Sequence, residues 1–254
     1  MSVYIGGEKV VVKDRKNVLL FGGAFNPPTI GHCHAAFSAI EDLAYEPLTG
    51  TGAWFVPDEV WFLPFYREQP GQSELEHFMY RVDMLKQMIN HELSSTYFKV
   101  CTLGRSLDPN INVYDLIMEL RAHHTNIQFS YLMGADQLEH IKTCTNSKKL
   151  LCDVDFVVID RNEILKKKPE LADILGITKR VITDSHRHIT SDVVRMATTS
   201  SSSMVVREAF KNRRSGYAVS LHRFLCPAVQ KYIMNNHLYV KESYIEQNSY
   251  SRLV

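Results

Sequence analysis

Gly22-Gly23-Ala24-Phe25-Asn26-Pro27-Pro28-Thr29-Ile30-Gly31-His32 joins a short apolar run, residues 17–21, to a stretch where Ile30, Cys33, Phe37, Ile40 and Leu43 recur at steps of three and four. The run reads as a buried strand and the stretch as an amphipathic helix. In an open parallel sheet, ligands bind outside the carboxyl ends of the strands, so this turn is where a site is expected. Gly22 and Gly23 carry no Cβ and can bring backbone N–H groups close to an anion. The helix start adds unpaired N–H donors and a partial positive charge, which suits phosphate. Thr29 and His32 are three apart and share a helix face, with Gly31 leaving room between them.

The same theme repeats along the chain. Residues 59–65 read as a second strand, followed by a stripe of Leu75, Phe78, Val82, Leu85 and Ile89. A third strand is expected at 97–103, before a helix marked by Val113, Leu116, Ile117 and Leu120, and a fourth at 127–133, running into Gly134-Ala135-Asp136. Two more are expected at 155–160 and 180–183, with the basic run Lys166 to Lys168 between them as a solvated helix face. Ser200 to Ser203 then cap a short helix carrying Val205, Val206, Ala209 and Phe210, and a last helix covers 227–235. Strands alternating with helices predict an α/β fold, a doubly wound parallel sheet of Rossmann-like type with C-terminal helices. The reading is of a single domain over residues 1–254, with its core at about 17–240 and a polar tail at 241–254.

With 29 basic against 28 acidic residues there is no global field to mark a binder of nucleic acid or membranes, so any anion site is local. The five cysteines are irregularly spaced without a C-x-x-C pair and read as reduced, mostly buried thiols. No protein-held metal is expected; the His186-x-His188 pair lacks an accompanying carboxylate motif and reads as loop. No run approaches the ~18 apolar residues of a membrane span, which places the protein in the cytoplasm or nucleus. A homo-oligomer is left open.

The string from Gly22 to His32 resembles the signature of the nucleotidyltransferase superfamily: a glycine turn, Phe, Asp or Asn, Pro, then (His or Thr)-x-Gly-His. Ser201-Ser202-Ser203-Met204-Val205-Val206-Arg207 resembles its second motif, Ile-Ser-Ser-Thr-x-Ile-Arg, with Met204 in the threonine position. Gly134-Ala135-Asp136-Gln137-Leu138, and the C-terminal Val229-Gln230-Lys231-Tyr232-Ile233 with Leu238-Tyr239, resemble elements of the nicotinate or nicotinamide mononucleotide adenylyltransferases. The resemblance implies ATP and a pyridine mononucleotide as partners, magnesium carried by the ATP phosphates, and His32 and Arg207 as catalytic residues. It implies ATP contacts from Gly22, Gly23, Ala24, Phe25, Thr29, Gly134, Asp136, Arg161, Ser202 and Ser203. Mononucleotide contacts are expected from Asn26, Tyr66, Arg67 and Cys144, the last standing where pyridine-specific members carry a tryptophan. Arg67 and Arg81 would bind substrate phosphate or pair with Glu68, Glu76 or Asp83. Two other readings remain: transfer to phosphopantetheine or another phosphorylated acceptor, with CTP as an alternative donor, and a non-catalytic nucleotide sensor.

Overall fold

The computed structural model describes residues 2–5, 8–11, 15–45, 56–66, 75–108, 111–160, 164–171, 180–183, 202–211 and 221–240. A small antiparallel hairpin, β1 (Ser2–Ile5) and β2 (Glu8–Val11), precedes the main body and was not expected from the sequence. The main sheet holds β3 (Lys16–Gly23), β4 (Glu59–Pro64), β5 (Phe98–Val100), β6 (Ile127–Gly134), β7 (Asp155–Asp160) and β8 (Arg180–Thr183). Its order is β5-β4-β3-β6-β7-β8, every pairing parallel. The order reverses between β3 and β6, so the doubly wound expectation holds and the crevice of such a sheet falls at the ends of these two strands.

Val18, Leu19 and Leu20 are wholly buried, because both faces of β3 are covered and a central parallel strand needs a continuous apolar run. On one face, Leu19 and Phe21 pack with α1 (Ile30–Tyr45), α2 (Phe78–Glu92), α7 (Ser202–Lys211) and α8 (Pro227–Asn235). On the other, Val18, Leu20 and Tyr131 pack with α3 (Val113–His123), α4 (Leu138–Thr143) and α5 (Ser147–Asp153). The short α6 (Ile164–Lys167) begins where Asp160, at the end of β7, accepts from the N–H groups of Ile164 and Leu165 at 2.8 and 3.2 Å.

Local expectations are corrected in three places. The strand expected at 97–103 ends at Val100, because a 3-10 turn over Leu103–Arg105 draws the backbone off the ladder. Phe37 is 41% exposed, meeting Phe98 edge-on instead of entering the core. Leu75 lies ahead of α2, whose buried stripe starts at Phe78. Of the lysine-rich run, Lys168 pairs with Glu139 at 2.6 Å on the surface, as a solvated face would.

At the opposite edge from the crevice, Glu59 ties three strands together. Its carboxylate takes Lys16 of β3 at 2.6 Å, Lys99 of β5 at 2.5 Å and the Trp61 indole N–H at 2.7 Å. Burial pushes the Glu59 carboxyl up, but the hydrogen bonds from Lys16, Lys99 and Trp61 outweigh it and hold the group below its ordinary value.

Candidate active site

The turn between β3 and α1 is built by packing as much as by glycine freedom. Phe25 takes a positive φ of 48° and is 1% exposed, its ring set edge-on against Phe21, Phe62 and His32, the last at 5.0 Å. A Cβ on Gly23 would meet this ring at 3.0 Å, and one on Gly22 would meet Tyr131 Oη at 1.8 Å. The missing side chains therefore make room for Phe25 and Tyr131, a reason for glycine distinct from the anion approach expected from the sequence. The Asn26–Pro27 peptide is cis.

Thr29 is the residue before α1, and His32 reaches back to it as the third helical residue does in a capping box. The Thr29 N–H donates to His32 Nδ1 at 2.9 Å, and the Thr29 hydroxyl lies at the same distance from that nitrogen. A backbone N–H can only donate, so Nδ1 is an acceptor and the neutral ring carries its proton on Nε2. His32 is thus held as a hydrogen-bond donor, its ring wedged between the capping contact and Phe25.

The second motif docks onto the first. Ser203 Oγ donates to Pro27 O at 2.9 Å and Arg207 Nη1 to Asn26 O at 2.7 Å, across separations of 176 and 181 residues. Ser203 and Arg207 are one turn apart on α7 and share a face, so two helix starts and a guanidinium gather at one segment. Ile30 N–H, at the first position of α1, is taken by Phe224 O at 2.8 Å.

Arg81 corrects an expectation. It is fully buried, and its hydrogen bonds to the described residues all go to main-chain oxygens; Nη1 donates to Ala24 O at 2.7 Å, Nη2 to Phe65 O at 2.7 Å and Tyr66 O at 3.4 Å, and Nε to Glu76 O at 2.9 Å. Burial lowers its guanidinium to about 10, so it stays charged at neutral pH. It clamps the loops that follow β3 and β4. Asn26, expected at the mononucleotide, is 5% exposed, and its Oδ1 accepts from Tyr239 Oη at 2.8 Å and Glu76 N at 3.2 Å. Tyr239, with φ 61°, reads in the sequence only as part of a C-terminal ending; a tyrosine after a short apolar helix carries no signal of a contact with residue 26.

The remaining expected residues spread along the crevice edge. Gly134 ends β6, and Asp136 in the following 3-10 turn accepts from Gln137 Nε2 at 3.0 Å. Tyr66, 37% exposed, follows β4 with its ring 5.2 Å from Phe78. Cys144 closes α4, its half-buried thiol donating to Ile141 O at 3.2 Å and pushed up by burial. Arg67, Arg161, Ser201 and the His186/His188 pair lie outside the described residues, as does the 241–254 tail; Ser202 starts α7.

His32 and Arg207 supply an imidazole N–H and a delocalised cation, a set that fits phosphate oxygens rather than a cation. Among the described residues the closest group of metal-ligating type is His91, Glu92 and Cys226, at the end of α2 and the start of α8. Its imidazole and thiol suit soft metals, not magnesium. No described helix is long and apolar enough to cross a membrane.

The chain is similar to a Bacillus cytotoxicus protein named "Probable nicotinate-nucleotide adenylyltransferase", 26% identical over 225 residues, 88% of this chain and 98% of the relative. A Halalkalibacterium halodurans protein of the same name is 29% identical over 61% of this chain and 68% of its own length. Among solved structures, the fold matches the Plasmodium falciparum nicotinic acid mononucleotide adenylyltransferase complexed with NaAD, with TM-score 0.64 and 17% identity over 89% of this chain and 98% of that one. A Vibrio parahaemolyticus structure described as a putative nicotinate-nucleotide adenylyltransferase gives TM-score 0.54 at 16% identity, over 88% and 95% of the two chains. Residues 20–209, which run from the end of β3 through both phosphate-type motifs, match the pattern described as Cytidylyltransferase-like, and the chain belongs to that family of nucleotidyltransferases.

Proposed function

We propose that the protein joins the AMP part of ATP to nicotinate or nicotinamide mononucleotide, releasing pyrophosphate, as a step of pyridine dinucleotide synthesis. The observation that supports this best is the docking of Ser203 and Arg207 onto Asn26–Pro27 beside His32, which collects donors from both ends of the chain at one turn. The relatives' shared name supports the pyridine acceptor.

The acceptor phosphate oxygen attacks the α-phosphorus of ATP in line with departing pyrophosphate. Both reactants are anions, so the protein's work is alignment and charge neutralisation, and no covalent nucleophile is required. His32, donating through Nε2, stabilises charge at the reacting α-phosphate. Arg207 and the start of α7 serve the β- and γ-phosphates, with Gly134 and Asp136 on the adenosine side. Magnesium enters with ATP as part of the substrate and screens its phosphate oxygens. Five free thiols suit a cytosolic setting.

Pyrophosphate release, measured with nicotinate mononucleotide, nicotinamide mononucleotide and phosphopantetheine, each with ATP and with CTP, tests the reading. Turnover with ATP and a pyridine mononucleotide is expected. Turnover only with another acceptor, or ATP binding without pyrophosphate release, refutes it.

A further inference from the structure

Tyr131 sits near the end of β6, in register with Leu20 of β3, and its ring leans along the sheet until Oη stands against Gly22. The ring is fixed by the edge of Phe156 at 5.9 Å and by the apolar layer under α3, α4 and α5. The residue is 5% exposed. Ser130 Oγ is the side-chain atom sealed from solvent with no partner; Tyr131 Oη is not sealed, and it has no hydrogen-bond partner among the described residues. Burial first, then the neighbouring Cys144, push this phenol far above its ordinary value, so it is a neutral donor across the physiological range.

A nearly buried hydroxyl that makes no hydrogen bond within the protein adds nothing to the fold that phenylalanine would not supply in the same space. The oxygen stands where the strand order reverses, at the mouth where ligands of such sheets bind. His32, Ser203 and Arg207 reach this mouth from the layer of α1 and α7, whereas Tyr131 reaches it from the opposite layer, beside Cys144. In an in-line transfer the attacking acceptor oxygen and the departing pyrophosphate stand on opposite sides of the α-phosphorus.

We propose, on the basis of the adenylyl transfer argued above, that the Tyr131 hydroxyl recognises the acceptor, donating a hydrogen bond to an oxygen of the pyridine mononucleotide. Gly22 is then small so that this hydroxyl can stand at the strand end.

Tyr131→Phe tests the assignment, because it removes one oxygen and no hydrogen bond within the protein. KM for the mononucleotide at saturating ATP is expected to rise about tenfold, the loss of one hydrogen bond, while KM for ATP stays within about twofold. The melting temperature is expected to hold or rise, since no internal hydrogen bond is lost. An unchanged mononucleotide KM, a rise confined to ATP, or a fall in melting temperature with equal losses for both substrates overturns the proposal. Absence of wild-type turnover with either pyridine mononucleotide removes the functional reading and this proposal together; normal wild-type turnover with an indifferent variant removes this proposal alone.

Discussion

Replacing Arg81 by lysine keeps the charge and removes the fork. The guanidinium makes its short bonds to the carbonyls of Ala24, Phe65 and Glu76, at 2.7, 2.7 and 2.9 Å, with that of Tyr66 further off at 3.4 Å. An ammonium on a four-carbon stem can satisfy one of these well, because its donors radiate from a single nitrogen. Two of the short carbonyl bonds are then lost, at about 1–3 kcal/mol each, so Arg81→Lys is expected to cost roughly 2–6 kcal/mol. For a chain of this size that corresponds to a fall in melting temperature of roughly 4–24 °C. Ala24 belongs to the turn that carries His32, so kcat is expected to fall even where the variant is fully folded. Urea denaturation followed by far-UV circular dichroism gives the stability, and pyrophosphate release well below the transition gives kcat. A loss under about 1 kcal/mol with kcat intact would show that the carbonyls find other partners and that the clamp does not set the turn.

Three further expectations follow from the same geometry. His32→Ala should lower kcat by about 10²- to 10³-fold while part of the ATP affinity survives in calorimetry; near-normal turnover would end its assignment. Gly22→Ala places a methyl 1.8 Å from Tyr131 Oη and should destabilise by about 1–3 kcal/mol, with recovery in the Gly22→Ala/Tyr131→Leu double variant; an unperturbed single variant contradicts the packing argument. Glu59 has a carboxyl held below its unfolded value, so its contribution is present above the ordinary carboxylate range near pH ~4.3 and is lost as pH falls through the folded value. Glu59→Gln should therefore cost about 1–2 kcal/mol at pH 7, modest because both lysines are largely exposed, and the difference should vanish in strong acid; a gap that persists at low pH would assign the effect to packing.

The order of strands and helices was readable because each central strand is buried on both faces and writes a continuous apolar run, as in 17–21 and 155–160. The site was readable where chemistry is local: a threonine and a histidine three apart at a helix start, or a serine and an arginine one turn apart. What escaped was long-range or directional. Arg81 has carboxylates close in sequence, yet its partners are main-chain oxygens, which no residue identity advertises. Period-two alternation places Tyr131 on a face of β6 but does not reveal that its ring reaches across to Gly22. Strand β5 is shorter than its apolar span because a turn, not hydrophobicity, ends it.

The turn that carries His32 is finished by late parts of the chain: Ser203 and Arg207 hold its carbonyls, Phe224 takes the first N–H of α1, and Tyr239 fastens Asn26. During synthesis on the ribosome, the first strand-helix-strand unit emerges with its signature residues long before those partners exist. A growing chain would thus carry the letters of a nucleotide site without its shape, and residues 203–239 convert one into the other. On the proposed function, nascent fragments and products cut short before residue 203 would be expected to bind ATP far more weakly than the full chain.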